Sequence, residues 1–266
     1  MAAAYIVDAV RTAGGRRNGR LSQVSPADLG AVVINALLER NNLDPALIED
    51  VIFGCVSQIG PQTFNVARTA VLASNLPIEV PGVTVDRQCG SGQQAIHFAA
   101  QAVMSGNQDM IIAGGVENMS MTPIGSPLLV ASKAGMRTPF DGEAISSRYP
   151  GVEFSQFVGA ERMAEKYAVS RDDLDHFAYQ SHVKGAAAYD DNRFDREIIP
   201  MTVEVEGQKV VHDVDEGLRR NATLEAIQGL EPLQEGGLIT AGSASQICDG
   251  SAATLIVSGC ALKQYG

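Results

Sequence analysis

Apolar positions recur along the chain in two rhythms, short β-type runs and longer stretches with helical spacing. Residues 5–10 form an apolar run broken only by Asp8 and predict a buried strand. SPADLGAVVINALLER, at 25–40, predicts a helix. Ser25 stands where an N-cap is expected, Pro26 at the first helical position, and Asp28 in the first turn, where the helix dipole favours negative charge. Leu29, Val32, Val33, Ala36 and Leu37 then share one face. Residues 51–55 predict a second strand that ends in a Gly/Pro loop. Residues 65–75 predict a helix with Val66, Thr69, Ala70 and Ala73 as its inner stripe. A third strand at 83–85, a third helix at 91–105 and a fourth strand at 109–115 follow.

This alternation, with short connections, predicts a mostly parallel sheet covered by helices on both faces. Ligands bind such sheets beyond the carboxyl ends of the strands. After Met119 the texture changes, and residues up to about 160 are rich in Pro, Gly and Ser. Helical spacing resumes with Ala160, Met163, Ala164 and Tyr167 on one face. Ser170 and Asp173 resemble a capping box that opens another helix. MTVEVEGQKVVHDV predicts a hairpin turning near Gly207, and ATLEAIQGL a short helix. Residues 252–258 return to strand character. The expected fold is α/β: a five-stranded sheet domain built from 1–118 with 248–266, and an α/β insertion at 119–247.

Composition narrows the function. The net charge is −11, from 20 basic and 31 acidic residues, which argues against a nucleic-acid or membrane-surface partner. No apolar stretch approaches the ~20 residues that span a bilayer. The start of the chain lacks the charged-then-apolar order of a signal peptide. The four cysteines, at 55, 89, 248 and 260, form neither a C-x-x-C pair nor zinc-finger spacing, and no metal site is expected. A reducing cytoplasm suits this usage.

One cysteine stands out. In VDRQCGSGQQAIHFAA, Cys89 falls at a strand-to-helix corner among small residues. A cysteine at a helix N-terminus meets unsatisfied N–H groups, which favour thiolate and bring such thiols to a pKa of about 3.5–7.5. Gly90 and Gly92 leave room for a substrate, and the Cys89 N–H is placed to donate to a developing oxyanion. The opposing reading is a small buried hydrophobe, which is the reading given to Cys55, Cys248 and Cys260. No histidine is placed to activate the sulfur. His97 lies about 12 Å along the same predicted helix, His176 and His182 fall on roughly opposite faces of another, and His212 sits in the hairpin without a visible partner.

DRQCGSGQQAI around Cys89, IIAGGVENMS at 111–120, SRDDLDHFAYQSH at 170–182, GLITAGSASQICDGSAA at 237–253 and VDAVRTAGGRRNG near the start resemble the thiolases, in order and spacing, over essentially the whole chain. The resemblance implies an acyltransferase in which Cys89 attacks a thioester or 3-ketothioester carbonyl and holds the acyl group. It implies coenzyme A and acyl-CoA as substrates, no bound cofactor, and a place in fatty acid metabolism of the β-oxidation kind. The insertion would cover coenzyme A. Ser245 matches a serine that contacts the pantetheine arm, with Ala244 beside it, and Arg219 a basic residue near the nucleotide end. Phe157 occupies a position that is small in many thiolases and either shapes the acyl pocket or packs in the insertion's core.

Thiolases have two similar halves, and the second supplies a Gly-His-Pro histidine and a Cys-Gly-Gly cysteine that moves the proton. Cys260 lacks the following Gly-Gly and is not given that role. The carboxy-terminal domain is expected to be absent, so the isolated chain is expected to turn over slowly or not at all. A homo-oligomer (dimer or tetramer) or a partner chain supplying the second half would cover the apolar face this leaves. A ketosynthase-like condensing enzyme and a non-catalytic acyl-CoA or lipid-binding module are the alternative readings.

Overall fold

The structure is a computed structural model and describes residues 3–265. The chain runs β1 (Ala4–Thr12), β2 (Gly15–Arg16), α1 (Pro26–Arg40), β3 (Asp50–Gly54), α2 (Val66–Ala73), β4 (Gly82–Val85), α3 (Ser91–Ser105) and β5 (Met110–Asn118). It continues with α4 (Ser126–Lys133), α5 (Glu143–Arg148), α6 (Gln156–Lys166), α7 (Arg171–Asp190), β6 (Ile198–Ile199), β7 (Met201–Val205) and β8 (Gln208–His212). It closes with α8 (Leu224–Gln228), β9 (Cys248–Ser258) and α9 (Gly259–Tyr265). No helix among the described residues is long and apolar enough to cross a membrane.

The chain divides into two compact units. The first holds the residues through Pro127, Asp195–Glu216, and the residues from Ile247 onward; the second holds Leu128–Phe194 and Gly217–Gln246. The second unit is therefore narrower than the expected 119–247 insertion. Residues 195–216 join the sheet unit because β6 pairs with β1, and because Met201 and Val203 of the β7–β8 hairpin are buried in that unit's core.

The first unit is a mixed sheet in the order β4-β3-β5-β9-β1-β6, with β2 also paired to β9. The five expected strands are its body, and β2 and β6 extend it by two residues each. β3 runs parallel to β4 and β5, and β1 parallel to β6. β9, between β5 and β1, is antiparallel to both.

Side-chain alternation along the strands builds two layers of core. On one face Val51, Phe53, Ile112, Leu255 and Val257 pack against Leu29, Val33 and Leu37 of α1 and Val66, Ala67 and Ala70 of α2. On the other, Ile52, Ile111, Ala113 and Ile256 meet Ala95, Ala99 and Val103 of α3. Ser25 caps α1 as the sequence indicates, its Oγ accepting from the Ala27 N–H; Asn65, which the sequence pattern places inside the helix, caps α2 through Oδ1, which accepts from the Arg68 N–H. In the second unit Ser170 and Asp173 form a reciprocal capping box, while Arg171 binds Asp175 at 2.7 Å and also holds carbonyls of Gln228 and Leu230. The hairpin turns through Glu206 and Gly207, both at positive φ, which matches the twist of its strands.

Two expectations are corrected. The buried side of α2 is Val66, Ala67, Ala70 and Val71, with Thr69 and Ala73 exposed. The α1 contact rotates it: Gly30 approaches the Ala70 methyl so closely that a Cβ at Gly30 would lie 2.6 Å from it. β1 is not buried throughout, since Tyr5, Ile6 and Val7 are exposed, Ile6 at 61%. Ile6 stands opposite Ile256 on the α3 side of the sheet, but α3 packs its buried residues over β3, β5 and β9. Ile6, Ala9 and Ala252 thus form an open apolar strip.

Gly30→Val should lower the unfolding free energy by about 1–3 kcal/mol, because the new side chain meets both Ala70 and the Phe53 ring. A urea titration of the two proteins measures the difference; an unchanged midpoint would contradict this packing.

Candidate functional site

The carboxyl ends of β3 and β5, the start of β9, the end of β1 and the turn before α3 line an open cavity of ≈ 490 Å³. It lies within the first unit, and Cys55, Cys89, Glu117, Cys248 and Ser251 all line it.

The corner that carries Cys89 is built by local hydrogen bonds. β4 stops at Val85 and α3 starts at Ser91, so five residues make the turn. Gln88 takes the left-handed conformation, φ +48°. The Asp86 carboxylate accepts from the Gln88 N–H at 2.7 Å, and Ser91 Oγ accepts from the Arg87 N–H while donating to the Gln88 carbonyl. These bonds fix the strained residue directly before the cysteine. Cys89 is exposed. Gly90 is the N-cap of α3 and offers no side-chain cap, so no side chain competes for the first-turn N–H groups.

Close backbone approach sets this corner on the sheet. A Cβ at Gly54 would lie 2.5 Å from the Ser91 carbonyl carbon and 2.6 Å from the Gly92 nitrogen. A Cβ at Gly115 would lie 2.7 Å from the Gly54 carbonyl oxygen. Only glycine lets the first turn of α3 rest on the ends of β3 and β5.

The opposite wall is polar and tightly bonded. Glu117 accepts from the N–H groups of Val56 (2.8 Å) and Ser57 (3.2 Å) and from Gln62 Nε2 (2.7 Å). The Cys55 thiol also donates to it; burial, with Glu117 adding its charge, pushes Cys55 up to about 12. Asp249, fully buried, accepts from the Ser120 N–H and hydroxyl. Burial, then the charges of Asp249 and Asp215, also push up Cys248. Thr12 Oγ1 accepts from the Ser251 N–H, and Ser251 Oγ donates to the Gly115 carbonyl.

Two cysteines read as ordinary hydrophobes, Cys55 and Cys248, therefore share the cavity of Cys89. The signal for Cys55 was its place just past the carboxyl end of β3, the same kind of position that marked Cys89. Cys260 is exposed on α9 and lies apart from this cavity. His97 is exposed on α3, and His212 is buried with Nε2 against the Ala13 carbonyl at 3.0 Å.

Phe157, Arg219, Ala244 and Ser245 lie in the second unit. Phe157 is 41% exposed in the first turn of α6, so it is not a core residue of that unit. Gln246 Nε2 donates to the Gly217 carbonyl at 2.9 Å, which places the segment of Ala244 and Ser245 beside that of Arg219. Ser245 is exposed. Arg220 binds Asp190 and stacks over Tyr189, whereas the exposed Arg219 guanidinium makes no ion pair among the described residues. The Arg219 N–H donates to His182 Nδ1, and burial followed by the Arg219 charge holds His182 below its ordinary value.

A family profile described as thiolase, N-terminal domain, matches residues 4–259. A steroid 3-ketoacyl-CoA thiolase of Mycobacterium tuberculosis is 49% identical over 100% of this chain and 64% of its own length. A beta-ketoadipyl-CoA thiolase of Acinetobacter baylyi is 41% identical over 98% of this chain and 68% of its own. The crystal structure of the Bacillus anthracis acetyl-CoA acetyltransferase superposes with a TM-score of 0.86 at 32% identity, covering 100% of this chain and 68% of that one. The chain thus spans about two thirds of the length of the relatives it matches.

Iodoacetamide at pH 8 should label Cys89 and spare Cys55, whose thiol is buried and keeps its proton until the pH nears 12. Peptide mapping after a short pulse reads this out. The raised value also sets a sign: Cys55 favours the folded state below the ordinary thiol pKa of 9.0, and that contribution is lost as the pH rises toward 12. Gly54→Ala should lower the unfolding free energy by about 1–3 kcal/mol, because its methyl meets the backbone of Ser91 and Gly92. A urea titration checks it; an unchanged midpoint would mean that the glycine contact does not set the corner.

Proposed function

Because the chain belongs to the thiolase family, we propose that it carries the acyl-transfer chemistry of a thiolase, with Cys89 as the nucleophile. The observation that carries this reading is the exposed sulfur at an uncapped helix start, on the rim of a cavity at the carboxyl ends of parallel strands. Cys89 Sγ attacks the C3 carbonyl of a 3-ketoacyl-CoA. Backbone N–H groups of the corner, that of Cys89 among them, receive the oxyanion. The C2–C3 bond breaks, acetyl-CoA leaves as its carbanion and takes up a proton, and the acyl group stays on sulfur. The thiol of coenzyme A then attacks the thioester, giving acyl-CoA and returning the free cysteine. The reverse sequence is a Claisen condensation.

The named relatives differ in the acyl group and share the coenzyme A thioester, which is the substrate class proposed here. Ser245 and Ala244 are proposed to meet the pantetheine arm, Arg219 the nucleotide end, and Phe157 the acyl chain. The unpaired state of Arg219 and the exposure of Ser245 and Phe157 support their availability. The open strip of Ile6, Ala9 and Ala252 supports a covering chain there, a second copy in a homo-oligomer.

Incubation with acetyl-CoA should add one acetyl group to the chain, and Cys89→Ala should abolish the gain, as read by intact mass. No acetylation of the unmodified chain would instead favour a non-catalytic acyl-CoA-binding module.

A further inference from the structure

We propose that Arg11 is a positioning residue of this site: a clasp that closes the neck of the 197–215 loop and so holds the wall of the acyl cavity across from Cys89. The acylation arm of its test rests on the function proposed above; the clasp itself rests on geometry.

Arg11 stands near the end of β1 and lines the cavity of Cys89. Its guanidinium is shared between two carboxylates from distant parts of the chain. Nη1 and Nη2 bind both oxygens of Asp215, at 2.7 and 3.0 Å, and Nε binds Glu197 at 2.7 Å. The Arg11 N–H donates to the Glu197 carbonyl at 2.8 Å. Glu197 and Asp215 are the two ends of the loop that contains β6 and the β7–β8 hairpin. One side chain therefore ties both ends of that loop to β1. A bidentate guanidinium–carboxylate pair has the directional strength that a lysine point charge lacks.

The clasp reaches the cavity wall through the backbone. Asp215 Oδ1 also accepts from the Gly14 N–H at 2.6 Å, and the Glu216 N–H donates to the Gly14 carbonyl at 2.9 Å. The Glu216 carboxylate then takes the N–H groups of Arg16 and Arg20. Gly14 and Thr12 line the cavity, and Thr12 is bonded in turn to Ser251. The wall thus owes its place to carboxylates that arrive from residues 215 and 216. Both carboxylates on Arg11 come from this chain, so its charge is already neutralised and its role is to position groups rather than to bind an anionic substrate.

The test uses the full chain and two reagents on the same sulfur. In Arg11→Met, amide exchange at residues 13–16 and 213–217 should rise at least about tenfold. Acylation of Cys89 by acetyl-CoA should fall by about tenfold, while alkylation by the small reagent iodoacetamide stays within about twofold. Arg11→Lys should restore part of both losses, since one ion pair returns without the fork. If Arg11→Met does not fold, Glu197→Gln removes one carboxylate partner and should show the same pattern at smaller size. Unchanged exchange at the neck, equal losses in acylation and alkylation, or no rescue by lysine would each overturn the clasp. A wild-type chain that is alkylated but never acylated would count against the proposed function, and neck exchange would still decide the clasp.

Discussion

The site depends on one steric constraint, the stacking of bare backbone in which Gly115 lies against Gly54 and Gly54 against the first turn of α3. Two strand ends and a helix start approach to a separation that leaves no space for a methyl group. The cysteine just before that helix is then held at the sheet's carboxyl edge, where three further strand ends and loops converge. Hydrogen bonds within the turn add orientation, and the glycine contact adds position. Together they turn an ordinary strand–helix connection into a corner with an accessible sulfur.

Two carboxylates of the cavity, the half-buried Glu117 and the buried Asp249, are each met by donors of the loops beside them. Glu117 is held by consecutive N–H groups of the loop after β3 and by Gln62, and Asp249 by the N–H and hydroxyl of Ser120, two residues past β5. Such carboxylates are stable only because their lone pairs are met, and the loops are ordered because the carboxylates are there. One consequence is that the three cysteines of the cavity are chemically unequal. Cys55 and Cys248 are pushed toward the thiol by burial and nearby negative charge, and Cys89 is exposed.

Much of the sheet was legible in the sequence because burial on both faces makes short apolar runs, and capping residues mark helix starts. α3 begins and ends where its pattern predicts, and Ser25, Asn65 and Ser170 all cap. The inner stripe of α2 was read one position off, because small residues carry little periodic signal and the α1 contact decides the rotation. The exposure of Ile6 was not legible, since an apolar residue in a strand looks the same whether or not a neighbour covers it. Cys89 could be found from its corner and Cys55 from its place at the carboxyl end of β3, but the company of Cys248 could not, because convergence of separate chain segments has no local signature. The pairing of Arg11 with residues 197 and 215 was hidden for the same reason.

The place of β9 has a bearing on how the chain acquires its shape. β1 and β5 lie on either side of it and share no ladder with each other, although both are made long before residue 248. Until that late strand slides between them, the growing polypeptide holds two separate β edges, and joining them closes loops well over a hundred residues long. Maturation of the Cys89 cavity, whose lining includes the first residues of β9, is thereby deferred until β9 is in place.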